Sequence, residues 1–212
     1  MLSLPVVQNP IEIMLREHLE SRDITDEYVL NAMRTVPREL FVPADLRQNA
    51  YDDRALPIGS GQTISQPYIV ALMLQLAHIS PDSIVLDIGT GCGYMAAVAA
   101  QIASHVYTIE CVPELAEQSM ERFETMGISN IDIHIGDGSL GWPGREMFDA
   151  ILISCATDEA PNKLISQLKP RGWMVLPIRQ NLPHEILTTY HKSDSGYLEI
   201  TEHLAVKFVP MV

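Results

Sequence analysis

Chemistry in this chain is expected around one glycine loop and three acids near it. Asp87 stands two residues ahead of Gly89 in the stretch 84–94, IVLDIGTGCGY, Glu110 follows further on, and Asp137 lies between Gly136 and Gly138. Glycine lets the backbone turn sharply and lets a ligand approach the peptide without meeting a Cβ. The spacing here is G-x-G-x-G, whereas a dinucleotide site uses G-x-G-x-x-G to seat a pyrophosphate that a nearby carboxylate would repel. A carboxylate ahead of the glycines suits a cationic ligand, and S-adenosylmethionine would set an ammonium and a sulfonium against it. The competing readings are another nucleotide, or an aspartate that merely caps its own loop.

A second polar stretch precedes this loop by about 20 residues. In 56–67, LPIGSGQTISQP, Gly59 and Gly61 allow close backbone approach, and Gln62, Thr63 and Ser65 bring three hydrogen-bonding side chains together. Pro67 opens a helix that the pattern carries to about residue 78. Two roles compete for this segment: a lid over the ligand, or a cap in which Ser65 only serves the helix N-terminus.

The elements that must position these residues alternate regularly. Strand-like sequence at 84–88 leads through the glycines to a helix at 95–103, a strand at 106–109 ending in Glu110, and a helix at 113–126. A strand at 131–135 runs into the Gly136-Asp137-Gly138 turn, and a strand at 148–153 ends at Ser154-Cys155-Ala156. A helix at 161–168 and a strand at 173–178 complete the series. This order predicts a Rossmann-like, doubly wound α/β fold with a mostly parallel sheet and ligands at the carboxyl ends of its strands. Glu110 falls at the offset of a ribose-binding acid. Two amphipathic helices at 11–20 and 26–35 form an N-terminal extension. The tail, with strand-like runs at 185–191 and 204–209, reads as an antiparallel addition.

Length and composition set bounds. At 212 residues, with no low-complexity linker, the chain is expected to form one domain: 1–80 as helices and lid segment, 81–179 as the ligand-binding core, 180–212 as C-terminal strands. The balance of 14 basic against 27 acidic residues, net −13, argues against a nucleic-acid backbone as partner. No signal peptide is expected, since Glu12, Arg16 and Glu17 interrupt any apolar run, and no stretch is long enough to span a membrane. A cytoplasmic address and a monomer are the expectation. Cys92, Cys111 and Cys155 make neither a C-x-x-C pair nor a zinc pattern, so all three are read as reduced, mostly buried thiols, and no metal is expected.

With these residues in place, the chain resembles the protein-L-isoaspartate O-methyltransferases. The resemblance runs from residue 11 to the C-terminus through VPRELFVP at 36–43, AYDDRALPIGSGQTISQP at 50–67, VLDIGTGCGY at 85–94, GDG at 136–138, FDAILIS at 148–154, QLKPRG at 167–172 and KFVP at 207–210. The glycine loop and GDG are common to many methyltransferases; GQTISQP is close to diagnostic. The resemblance implies a seven-stranded sheet and transfer of a methyl group from S-adenosylmethionine to the α-carboxylate of L-isoaspartyl residues in damaged proteins and peptides, with S-adenosylhomocysteine as product. It also implies Ser65 as the active-site serine, and Gln62, Thr63, Ile64, Ser65, Asp87, Gly89, Thr90, Gly91, Cys92, Gly93, Glu110, Asp137 and Gly138 as cofactor contacts.

Some positions depart from the family pattern. Cys92 and Met95 stand where serine and glutamine are common, Arg171 replaces a glycine, Arg179 closes an altered Pro-Val-Gly turn, and Ser154-Cys-Ala-Thr157 replaces a Thr-Ala-Ala-Ala type run at a strand end that should border the substrate. Two other readings stand beside the first: a relative that methylates a different peptide carboxylate, and a non-catalytic protein that only binds the cofactor.

Overall fold

The computed structural model describes residues 9–180 and 184–211, so the ends of the expected N- and C-terminal portions and residues 181–183 lie outside the described residues. Its main feature is a seven-stranded sheet. Five strands are parallel: β3 (Ile84–Ile88), β4 (His105–Glu110), β5 (Ile131–Ile135), β6 (Phe148–Ile153) and β7 (Leu168–Arg179). Two antiparallel strands, β8 (Glu185–Lys192) and β9 (Leu198–Val206), extend it past β7. The order is β5-β4-β3-β6-β7-β8-β9. The chain therefore leaves β3 toward β4 on one side and returns to place β6 on the other. That reversal opens a crevice at the carboxyl end of β3, where open α/β sheets take ligands.

β3 can sit there because its apolar residues pack into a core on both faces. Val85 joins a cluster that includes Met14, Leu15, Met33, Leu74 and Ala96, while Leu86 and Ile88 face a second cluster with Ile109, Ile151, Leu164 and Met174. This is the period-2 alternation of a strand covered on both sides. The first cluster welds the N-terminal extension to the sheet: α1 (Pro10–Ile13) and α2 (Glu27–Thr35) belong with α3 (Pro67–Leu76) and α4 (Tyr94–Ala100) on that face. Asp26 caps α2 by accepting from the amides of Tyr28 and Val29. Helices α5 (Pro113–Thr125) and α6 (Asn162–Gln167) complete the alternation.

Several expectations need correction. The helix expected over 11–20 leaves α geometry at Met14 for a π turn, Met14–Leu19, which buries Met14, Leu15 and Leu19. The stretch 56–67 is not plain loop: β1 (Leu56–Gly59) and β2 (Gln62–Ile64) form an antiparallel hairpin. Its tip takes three successive positive φ values at Gly59, Ser60 and Gly61, which explains the two glycines. Helix α3 stops at Leu76, and His78 turns left-handed with φ 49°. In the tail, 198–200 and 204–206 belong to one strand, β9, while 207–209 leaves the sheet. Cys111 is exposed, in contrast to Cys92 and Cys155.

Candidate functional site

The loop after β3 turns on Gly89, Gly91 and Gly93, all with positive φ. The amides of Gly89 and Thr90 donate to the Ile109 carbonyl at 2.9 and 3.2 Å, which holds the loop against the end of β4. Helix α5 supports it from outside: Ser119 Oγ donates to the Gly91 carbonyl at 3.0 Å, and Arg122 Nη1 to the Cys92 carbonyl at 2.7 Å. The glycines differ in purpose. A Cβ on Gly93 would lie 2.7 Å from the Phe123 ring, so that glycine serves packing between loop and helix, whereas Gly89 and Gly91 line a cavity.

That cavity lies at the carboxyl ends of β3, β4 and β6 and is bounded on its other side by β2 of the hairpin and by Ser65. Of the residues expected to contact a ligand, Gln62, Thr63, Ile64, Ser65, Gly89, Gly91, Cys92, Glu110 and Gly138 line it. The other four do not. Thr90 is buried and bonds the Thr108 hydroxyl at 2.6 Å, and Gly93 packs as described. Asp137 is exposed, accepts from the Ser139 amide at 2.8 Å, and faces a separate cleft with Asp158 and Glu159.

Asp87 is fully buried beneath the loop rather than presented to the cavity. Thr108 Oγ1 donates to its Oδ2 at 2.9 Å, and its Oδ1 has no partner. Burial raises its pKa from 3.8 to about 7; the Thr108 bond works against that shift and the neighbouring Glu110 charge adds to it. An unpartnered carboxylate oxygen under a glycine loop fits a cationic ligand, which would stabilise the ionised form. Glu110 accepts from the Gly91 amide at 2.7 Å through Oε2 and from the Val112 amide at 2.9 Å through Oε1. Cys111 Sγ also donates to Oε1, at 3.6 Å, which leaves Oε2 with the spare lone pair through which the carboxylate can accept from a ligand hydroxyl.

Ser65 follows β2. Its carbonyl accepts from Arg38 Nη2 at 2.7 Å, and no side chain caps the N-terminus of α3, which removes the capping role for its hydroxyl. Ser65 lines both this cavity and a second groove, as do Thr63, Ser154 and Val209. Ser154 was expected at a strand end bordering the substrate. Val209, Pro210 and Met211 carried no expected role, yet they also line the cavity, because an isolated bridge between Ala156 and Pro210 folds the tail back over the end of β6. Among the described residues no cluster of three or more metal-ligating side chains occurs, and no helix is long and apolar enough to cross a membrane.

The family model for protein-L-isoaspartate(D-aspartate) O-methyltransferase matches residues 10–212. The chain belongs to this family. The protein-L-isoaspartate O-methyltransferase of Opitutus terrae is 48% identical over 202 residues, covering 95% of this chain and 86% of that protein. That of Petrotoga mobilis is 45% identical over 201 residues, with 94% of each chain covered. Among solved structures, a Plasmodium falciparum protein described as a protein-L-isoaspartate O-methyltransferase, in complex with S-adenosyl-L-homocysteine, superposes with a TM-score of 0.83 at 25% identity. It covers 97% of this chain and 99% of its own. Another protein-L-isoaspartate O-methyltransferase structure gives 0.86 at 27% identity over 94% of this chain and 65% of that one. The seven-stranded sheet with its antiparallel β8 and β9 is thus the fold of the protein-L-isoaspartate O-methyltransferases.

Proposed function

We propose that this protein transfers a methyl group from S-adenosylmethionine to the free α-carboxylate of L-isoaspartyl residues in proteins and peptides. The observation that carries the reading is the wall shared by the two cavities, where Ser65, uninvolved in capping α3, stands between the glycine-loop side and the second groove, which would take the peptide. Gly89, Gly91, Glu110 and Gly138 would hold the cofactor, with Asp87 acting through the field beneath the loop. When bound, S-adenosylmethionine supplies an electrophilic methyl group and leaves as S-adenosylhomocysteine.

The protein's own task is then alignment more than acid–base chemistry. A free α-carboxylate has an ordinary pKa of about 3.3–3.7, so the nucleophile is ionised at neutral pH and no base is needed. Ser65 Oγ donates a hydrogen bond that orients the carboxylate, and the hydroxyl is a weak enough donor to leave it nucleophilic. The β1–β2 hairpin and the returning tail keep water from the reacting centre, which strengthens charge interactions inside it.

The test is methyl transfer from labelled cofactor to matched isoaspartyl and aspartyl peptides, with wild type and Ser65→Ala compared in single turnover at saturating cofactor. The expected result is methylation of the isoaspartyl peptide alone, and a loss of rate in Ser65→Ala on the order of tenfold or more with cofactor affinity preserved. Methylation of both peptides would point to a different carboxylate substrate. Cofactor binding without product would leave a binding protein.

A further inference from the structure

We propose that Arg38 and Arg122 are positioning residues that hold the two walls of the cleft in register through a single stack of side chains, Arg38–Tyr94–Phe41–Arg122. The inference rests on the methyltransferase reading above and adds to it the part that the N-terminal extension plays.

Three contacts in series join the four side chains of the stack. The Arg38 guanidinium carbon lies 4.8 Å from the centroid of the Tyr94 ring. Tyr94 meets Phe41 edge to face, with centroids 5.2 Å apart at 67°. The Arg122 guanidinium carbon lies 5.5 Å from the Phe41 centroid. Each cation thus ends on an aromatic face, and the two rings meet in the orientation their quadrupoles favour.

Both ends of the stack terminate on backbone carbonyls of the cleft. Arg38 donates through Nη2 to the carbonyl of Ser65 and through Nε to that of Ala50, each at 2.7 Å. The Ser65 carbonyl needs a donor from elsewhere because the β1–β2 ladder stops at Ile64. At the other end, Arg122 donates through Nη1 to Cys92 in the glycine loop at 2.7 Å and through Nε to Leu40 at 2.9 Å. Ser65 and Cys92 both line the main cavity, so the stack connects the serine side to the cofactor side.

A cation at Arg38 is costly if it only fills space. The side chain is fully buried, neither of its hydrogen bonds goes to a carboxylate, and Nη1 has no partner at all. An apolar side chain would fill the same volume without that penalty. What the guanidinium adds is a rigid planar fork that fixes two carbonyls relative to each other and to the Tyr94 ring. Tyr94 is the first residue of α4, directly after the glycine loop, so its position registers the loop against the serine. Arg38, Leu40 and Phe41 all come from VPRELFVP, a stretch to which periodicity assigned no site role.

The experiment compares Arg38→Lys, Arg122→Lys and the double variant by three readouts: single-turnover methylation of an isoaspartyl peptide at saturating cofactor, S-adenosylhomocysteine affinity by calorimetry, and thermal melting. Lysine keeps each charge but removes the fork. Arg38→Lys should lower the turnover rate about tenfold with affinity within about twofold of wild type, and Arg122→Lys should weaken affinity about fivefold with a smaller effect on rate. The double variant's loss should depart from the product of the single losses by at least about threefold, as expected of residues that act through one another. A wild-type rate in a less stable Arg38→Lys protein makes Arg38 a structural cation and overturns the proposal, as do equal losses of rate and affinity in both single variants, or losses that simply multiply. Should Arg38→Lys fail to fold, Phe41→Leu keeps both arginines and all four carbonyl bonds. It must then shift both the rate and the affinity, and unchanged values of either reject the stack. If wild type fails to methylate the peptide, the functional reading falls instead. The stack is then judged by affinity alone, with Arg122→Lys required to weaken binding and Arg38→Lys required to leave it intact.

Discussion

Asp87 and Glu110 lie two strands' ends apart in sequence but divide one electrostatic task. Glu110 is spent on the Gly91 and Val112 amides and still faces the cavity, while Asp87 is hidden and only half satisfied. Replacing Glu110 with Ala should weaken S-adenosylhomocysteine binding by about 1–3 kcal/mol, the range for hydrogen bonds to a charged group; calorimetry on the folded variant measures it directly. Asp87 has a pH signature. Because its folded pKa is raised from 3.8 to about 7, its contribution to stability is fully present below the unfolded value and is lost as pH rises through about 7. The stability of wild type relative to Asp87→Asn should therefore fall between about pH 4 and about pH 7 and then level off, as read from urea midpoints across that range. A constant difference would mean that Asp87 does not titrate there.

At the scale of elements, the cleft depends on backbone shapes that only glycine adopts easily. Gly93 combines φ of 88° with a Phe123 ring 2.7 Å from where a Cβ would stand. Gly93→Ala should cost on the order of 2–5 kcal/mol, the sum of a left-handed backbone penalty and an overpacked contact. Chemical denaturation would show it as a shifted midpoint with an unchanged slope. The β1–β2 hairpin is positioned differently. Only three residue pairs join its strands, so its place over the cavity depends on partners outside it, such as Arg38 on the Ser65 carbonyl and Gln66 Nε2 on the Asp53 carbonyl at 3.0 Å.

At the scale of the whole molecule, the N-terminal extension shares its core with the sheet. Met14, Leu15, Leu19 and Met33 belong to the same cluster as Val85, Ala96 and Val175. We propose on this ground that the chain unfolds as one unit: circular dichroism and intrinsic fluorescence should give coincident urea transitions. A chain shortened to begin at residue 81 should show no cooperative melt, since it would expose the faces of β3 and α4 that the extension covers. A cooperative melt in that fragment would make the extension a separate unit.

The local sequence determined a good deal of this protein. Four apolar residues around Asp87, a glycine series and an alanine-rich run give β3 and its loop to the residue and place the start of α4 within one residue, though its end falls at Ala100 and not at 103, because strand, tight turn and helix are each specified by neighbours a few positions apart. The order of such units fixed the sheet's parallel part, and the acid at the end of β4 was legible as a cavity residue from its offset alone. What depended on residues far apart in the chain could not be read this way. The hairpin was hidden because its few pairs depend on partners outside it. Val209, Pro210 and Met211 reach the cavity only through the Ala156–Pro210 bridge. Asp87 was expected to face a ligand, but strand alternation and the Thr108 hydroxyl turn it into the core, where burial outweighs Thr108 and Glu110 in setting its pKa. The link from Arg38 through Tyr94 and Phe41 to Arg122 spans 85 positions of the sequence. Tertiary structure alone decided it, because a hydrogen-bonded fork and a pair of stacked rings have no period along a chain and exist only where packing brings their parts together.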